Sequence, residues 1–340
     1  MMENPSGRRL PTALACALVS LTASAEDVAQ SVDPEMLAVE SRIPLGDIRG
    51  RIDHLAADVK RQRLFVAELG NNSVAVIDLK EDKTVRTLTG LQEPQGIGYV
   101  PSADCVFVAN GRSGLVQMYR GADLMPIAQI ALGDDADNVR VDDAAHRVFV
   151  GYGSGAIAVI DAVTRKKVAD IPLRAHPESF RLDRSGQRIF VNVPSANEIA
   201  LVDRSTNRQV ASWPTNEFRA NYPLTLEEPP RERVLAIFRR PAKLAVFQVT
   251  DGRRLSGIDT CGDSDDAFVD PKRNRVYVIC GEGVVDVFAA QGDTYARVGR
   301  LSTSPGARTG LFVPELDRLY VAARATSAAA ASLWILAPRP

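Results

Sequence analysis

One short pattern, Arg-apolar-aromatic-Val, returns about every 42 residues along the chain, and no other feature restricts the fold so tightly. It stands as Arg63-Leu64-Phe65-Val66 and returns as Cys105-Val106-Phe107-Val108, Arg147-Val148-Phe149-Val150, Arg188-Ile189-Phe190-Val191, Arg233-Val234-Leu235-Ala236, Arg275-Val276-Tyr277-Val278 and Arg318-Leu319-Tyr320-Val321. Ahead of each copy lies a short strand that ends in an acidic or proline turn. Behind it come a turn bearing Gly or Asn, an alternating strand such as Ser73-Val74-Ala75-Val76-Ile77-Asp78, and usually a fourth, more polar strand. Four strands per unit at this period predict an all-β, seven-bladed β-propeller of four-stranded blades.

The seventh unit ends the chain at Pro340 without a fourth strand, while residues 37–45 read as a strand without a unit. The N-terminal strand is therefore expected to complete the last blade and close the ring, which hides two sheet edges together. A linear solenoid is the alternative, and it would need capping repeats that the sequence does not offer.

The stretch Asn71-Asn72-Ser73-Val74-Ala75-Val76-Ile77-Asp78, with Pro94-Gln95-Gly96-Ile97 in the next unit, resembles the YVTN-type repeats of YncE-like propellers. The resemblance covers residues 37–340, is clear in the first three units and fades in the fifth and seventh. It implies a seven-bladed propeller, typically exported, from a family whose members mostly lack a known activity, some being implicated in nucleic-acid binding.

Arg8 and Arg9 precede an apolar stretch from Leu10 to Leu21, and Ala23-Ser24-Ala25 stands before Glu26, the layout of a cleavable secretory signal. The alternatives are a buried N-terminal helix, lipid attachment at Cys16 and twin-arginine export at Arg8-Arg9. The expected organisation is a signal peptide at 1–25, a short linker at 26–36 and one propeller domain at 37–340, placed in the periplasm or secreted. No later run approaches 18 apolar residues, so no stable membrane insertion is expected. Beyond the signal, Cys105, Cys261 and Cys280 form an odd set in a compartment that permits disulfides. A Cys261–Cys280 bridge with Cys105 as a buried thiol fits, although spacing alone leaves the connectivity open.

In a propeller the residues just before each innermost strand face one funnel. Reading them in order selects His54, Gln95, Asn138, Glu178, Asn221, Asp265 and Arg308, spaced 40 to 44 residues apart and different in every blade. His54 and His176, with carboxylates from Asp137, Glu178 and Asp265, are candidate ligands for a divalent metal, Zn, Mn, Fe or Cu, or Ca if only oxygens are used. The alternative is a hydrogen-bonded pair of channel histidines. Arg308, with Arg239 and Arg240 expected in a loop after the second strand of the fifth blade, suits an anionic group of a ligand, together with Gln95, Asn138 and Asn221. The alternative there is neutralisation of the Asp263–Asp266 cluster. His146, in a turn on the opposite face, reads as structural.

Three functions remain open on the sequence. One is a metal-assisted hydrolase, lactonase-like, or a lyase, with Glu178 or Asp266 as general base and Arg308 holding the substrate. The second is a non-catalytic binder of a small anion. The third is a scaffold for a protein or single-stranded nucleic acid. Forty-one Lys and Arg against forty-two Asp and Glu, with no basic stripe carrying aromatic platforms, argue against nucleic acid. There is no nucleotide or flavin motif, no nucleophile elbow and no Cys-x-x-Cys. A closed ring needs no second copy, so a monomer is expected.

Overall fold

The computed structural model describes residues 36–340. The expected signal peptide at 1–25, with Arg8, Arg9 and Cys16, and the linker up to residue 35 lie outside the described residues. The first strand, β1 (Leu37–Pro44), belongs to the last blade. Blade 1 holds β2 (Leu55–Asp58), β3 (Arg63–Glu68), β4 (Ser73–Asp78) and β5 (Lys83–Leu88). Blade 2 holds β6 (Pro94–Val100), β7 (Cys105–Asn110), β8 (Leu115–Arg120) and β9 (Pro126–Ala131). Blade 3 holds β10 (Val139–Asp142), β11 (Arg147–Tyr152), β12 (Ala156–Asp161) and β13 (Lys166–Pro172). Blade 4 holds β14 (Phe180–Leu182), β15 (Arg188–Val193), β16 (Glu198–Asp203) and β17 (Arg208–Pro214). Blade 5 holds β18 (Arg219–Glu227), β19 (Arg233–Arg240), β20 (Ala242–Gln248) and β21 (Arg254–Asp259). Blade 6 holds β22 (Ser264–Asp270), β23 (Arg275–Cys280), β24 (Val284–Gln291) and β25 (Thr294–Ser302). Blade 7 holds β26 (Thr309–Val313), β27 (Arg318–Ala323) and β28 (Ser332–Pro338), and β1 completes it by pairing antiparallel with β28.

The first strand of each blade touches that of the next, from β2 through β6, β10, β14, β18 and β22 to β26, and β26 touches β2. These seven strands therefore wall a central channel. The Arg-apolar-aromatic-Val strands are second in each sheet and are buried on both faces, as in Leu64, Phe65 and Val66. Their aromatic residues feed seven apolar clusters, each filling the space between two neighbouring blades. Packing blade on blade thus supplies the core, and the ring stands only when every gap is filled.

The turn into the second strand repeats as well. Gln62, Asp104, His146, Glu232, Asn274 and Asp317 all occupy the left-handed region directly before that strand, and in blade 4 Gly186 does so one residue further back. His146 therefore holds a turn, with Nδ1 2.7 Å from Ser102 Oγ. Cys261 and Cys280 form a disulfide within blade 6, and Cys105 is a buried thiol. Residues 328–331 lie in the loop before β28. Among the described residues no helix is long and apolar enough to cross a membrane.

Candidate functional site

Strand register places one residue of each blade at the mouth of the channel. Each second strand pairs its aromatic, or Leu235 in blade 5, with a channel residue of the first strand: Ala56, Gly98, Arg140, Arg181, Thr225, Phe268 and Leu311. Three residues earlier stand Asp53, Gln95, Asp137, Glu178, Tyr222, Asp265 and Arg308. The ring expected from sequence takes this same repeat position at Gln95, Glu178, Asp265 and Arg308 and the neighbouring residue at His54, Asn138 and Asn221. In blades 2, 5 and 6 the first strand also carries a bulge here, after Pro94, Asn221 and Ser264, which turns Gln95, Tyr222 and Asp265 out of the ladder.

Asn221 and Asn138 are corrections. Asn221 is fully buried and spends its amide on Asn192 Oδ1 at 2.9 Å and the Glu198 carbonyl at 3.0 Å. Asn138 is buried too, and its Oδ1 accepts from the Arg140 guanidinium at 2.9 Å. Both hold other groups in place, and Asn221 Oδ1 is left buried without a hydrogen-bond partner. Gln95 donates to Asp135 Oδ1 at 3.2 Å on the rim. The close approach of blades 2 and 3 beside it requires Gly96, where a Cβ would stand 2.1 Å from the Asp137 carbonyl oxygen.

The arginines are also placed differently. Arg239 and Arg240 are the last two residues of β19 and not a loop. Arg239 lies over the Tyr222 ring at 3.8 Å and donates to Asp265 Oδ1 at 2.7 Å, while Arg308 Nε meets Asp265 Oδ2 at 2.9 Å and its NH1 reaches Asp263 at 3.0 Å. Arg240 is exposed on the rim. Two of the guanidiniums expected to clamp an anion, Arg239 and Arg308, are thus matched to Asp263 and Asp265, the neutralising role.

What remains unmatched is acidic. Asp53 is held by Arg51, an interaction the sequence reading missed, at 2.6 Å, and lies 3.7 Å from His54 Nε2. His54 Nδ1 is 3.2 Å from Asp266 Oδ2, which also accepts from the Gly310 backbone N–H at 3.0 Å. His176 Nδ1 donates to the Gly153 carbonyl at 2.7 Å, leaving Nε2 toward Asp137 Oδ2 at 4.0 Å. Asp137 is more than nine-tenths buried, and its Oδ1 has no hydrogen-bond partner.

Burial opposes charge throughout this cluster. It raises Asp53 to about 6 against the pull of His54 and Arg51, and raises Glu178 to about 8 with help from the Asp137 charge. It also works against the imidazoliums, but Asp266 outweighs it at His54, raised to about 10, and Asp137 with the Gly153 carbonyl outweighs it at His176, raised to about 9. At Asp137 burial is overcome by the two histidines, and the carboxyl stays below its usual range. Both histidines are therefore cationic at neutral pH. Among the described residues no three His, Cys, Asp or Glu side chains are grouped to hold an ion.

The proton balance has a measurable sign. Asp53, Glu178, His54 and His176 bind protons more tightly folded than unfolded, where carboxyls titrate near ~4 and imidazole near ~6.5. Their contribution is whole at acid pH and drains as pH rises, through the carboxyls first and then through the imidazoles. The melting temperature is expected to fall by about 5 °C or more from pH 5.5 to 9, with a shallower fall between pH 5.5 and 8 in Glu178→Gln. A melting temperature that climbs over this range would contradict the protonated cluster.

No known family's sequence model matches the chain, and no curated protein matches it. The fold itself matches 1726 chains of known structure, so it narrows function little. The chain is similar to Kuenenia stuttgartiensis hydrazine synthase at 17% identity and TM-score 0.65, over 82% of this chain and 93% of that one. It is similar to a chain of the mitotic checkpoint complex at 13% identity and TM-score 0.73, over 96% of this chain and all of that one. At these identities the likeness is one of fold.

Proposed function

We propose that this propeller binds a small polar ligand at the channel mouth, one that presents hydrogen-bond donors or positive charge to Asp137 and Glu178. The observation that carries this reading is the Asp137 Oδ1 atom, buried and without a partner. A buried carboxylate oxygen left unpaired is costly, and a site of convergent polar groups in a concavity supplies it with a partner on binding. The YVTN-type repeats and the sequence of the first 25 residues support an exported protein. An ammonium, a sugar hydroxyl or a divalent ion such as Zn, Mn, Fe, Cu or Ca meets the requirement, the ion only after His176 Nε2 has lost its proton. An ion would need Asp137, Glu178 and His176 to draw together, since they are not grouped for one here, with His54 and Asp265 turned toward Asp266 and the arginines.

One observation favours a catalytic version. Glu178 keeps its proton at neutral pH while neighbouring Asp137 is ionised, and two carboxyls pushed apart in this way provide an acid and a base. A hydrolase or a lyase would use that pair.

The test is calorimetric titration of the exported, tag-free protein with Zn2+, Mn2+, Ca2+, glucosamine and glucose, beside metal analysis by mass spectrometry. Binding of at least one probe is expected, weakened at least tenfold in Asp137→Asn, whose amide keeps the shape of the carboxyl but not the charge facing His176 and His54, so that its melting temperature falls by no more than about 5 °C. Wild type that ignores every probe, together with an Asp137→Asn protein that melts far lower, would make Asp137 a structural counter-ion.

A further inference from the structure

Below the mouth, Arg140 on β10 and Arg181 on β14 occupy the channel position that the other blades fill with Ala56, Gly98, Thr225, Phe268 and Leu311. Five blades thus put neutral residues on this ring and two adjacent blades put guanidiniums. Arg140 is fixed by neutral acceptors, the Phe180 carbonyl at 2.9 Å, the Val139 carbonyl at 2.8 Å, Asn138 Oδ1 at 2.9 Å and Ser179 Oγ at 3.3 Å. Arg181 reaches across the channel to the Ala267 carbonyl at 3.3 Å, and among the described residues its other N–H groups make no hydrogen bond. Neither has a carboxylate within 4.0 Å among the described residues. Every mouth arginine, by contrast, is paired with an aspartate.

Burial pulls both guanidiniums below their ordinary range, and the charge of Arg181 pulls Arg140 further, to about 9. Two adjacent, partly buried cations that no carboxylate touches, with Asp266 only a more distant counter-charge, are stabilised by an anion that enters beside them. The channel has room for one: a cavity of about 390 Å3 runs from His54 and Asp266 down to Pro101 and Pro314 at the opposite face. That volume is at the small end of ligand sites. Apart from the arginines its middle is walled by Ala57, Tyr99, Val141, Phe268 and Leu311.

We propose that the central channel is a binding site for a small organic anion, a carboxylate with a compact apolar body, whose oxygens take the free N–H groups of Arg181 beside the charge of Arg140. The apolar body then lies against Phe268, Val141 and Leu311. This site shares His54 and Asp266 with the mouth at its upper end, but the groups that hold the anion are the two arginines, set below the mouth among apolar walls and away from the Asp266 and Glu315 carboxylates at the two ends of the cavity.

The experiment is calorimetric titration of the protein in chloride-free buffer with benzoate, butyrate, inorganic phosphate and the neutral isostere benzamide, on wild type, Arg181→Met and Arg181→Lys. Benzoate is expected to bind at least tenfold more tightly than benzamide or phosphate, to weaken at least tenfold in Arg181→Met, and to weaken less in Arg181→Lys, which keeps the charge but loses the planar fork. Without anion, Arg181→Met is expected to melt at or above the wild-type temperature, since it removes a partly buried charge that no carboxylate touches. Equal binding of benzoate and benzamide, phosphate binding as tight as benzoate, or an Arg181→Met protein that binds as wild type does would each overturn the proposal. So would an Arg181→Met protein that melts well below wild type, which would make Arg181 a structural cation.

Discussion

Protein lacking residues 37–44 is expected to lose the closed ring and to melt at least about 10 °C below the intact chain. Those residues are the outer strand of blade 7, paired with β28 from Leu37 opposite Pro338 to Pro44 opposite Ser332. Leu37 and Ile43 sit in two different inter-blade clusters, one on each side of the blade, and each buried aliphatic side chain contributes roughly 1.5–3 kcal/mol. Glu40 adds an ion pair to Arg318. Together these losses come to about 5 kcal/mol before the newly exposed β28 edge is counted, and for a domain of this size each kcal/mol moves the melting temperature by about 2 °C or more. A bare edge strand invites pairing with another chain, so the truncated protein is also expected to elute as a dimer or larger. A peptide of residues 36–46 added in excess should restore both the elution volume and part of the melting temperature. A truncated protein that stays monomeric and melts within about 2 °C of the intact one would show that β1 decorates a ring already closed by the other strands.

That closure was legible because it rests on arithmetic that side chains cannot blur. Seven repeats of the second strand, six with an aromatic and one with Leu235, demand 28 strands in all, the last unit is one short, and residues 37–45 are one over. The turn before each second strand was legible for a similar reason, since Asn274 and Asp317 are residue types that tolerate the left-handed conformation, although Gln62 and Glu232 adopt it without that preference.

The site was read less well, and the reason lies in register. Polar residues crowd every blade entry, so choosing the most conspicuous one selects His54 over Asp53 and Asn138 over Asp137, although the repeat puts Asp53 and Asp137 at the equivalent position, with His54 beside it on the channel wall. Counting from the repeat would have settled it: the mouth residue lies twelve positions before the aromatic in six blades, as Asp53 before Phe65 and Arg308 before Tyr320, and thirteen before Leu235 in blade 5. The same count, nine back, finds Arg140 and Arg181. The irregular fifth blade is the one whose bulge sits between Asn221 and Leu224, and a bulge leaves no mark in the alternation of polar and apolar residues. The sequence left neutralisation of the Asp263–Asp266 cluster by Arg239 and Arg308 as an alternative to clamping an anion, because the choice joins three blades and depends on distances that only the closed ring sets.

Asp266→Ala is expected to be the most damaging single substitution at the mouth, lowering stability by about 3–5 kcal/mol. Asp266 comes from blade 6, its Oδ2 accepts the backbone N–H of Gly310 in blade 7, and it faces His54 of blade 1 across the seam where the ring closes. Alanine removes both contacts together. It leaves a buried N–H without an acceptor and a buried imidazolium with only Asp53, itself shared with Arg51, close enough to balance it. Asp266→Asn keeps an acceptor for Gly310 but no charge, so it should recover roughly 1 kcal/mol of the loss while the His54 pKa drops from about 10 toward its ordinary value near ~6.5. His54→Gln removes the cation that makes Asp266 necessary, and the double variant Asp266→Asn with His54→Gln should therefore cost less than the two single changes added together, as groups in one contact do. Melting curves of the four proteins with an NMR titration of the histidines measure each step. Additive losses, or an unmoved His54 titration in Asp266→Asn, would mean that Asp266 serves only the Gly310 backbone and that the charge at the seam is balanced elsewhere in the mouth.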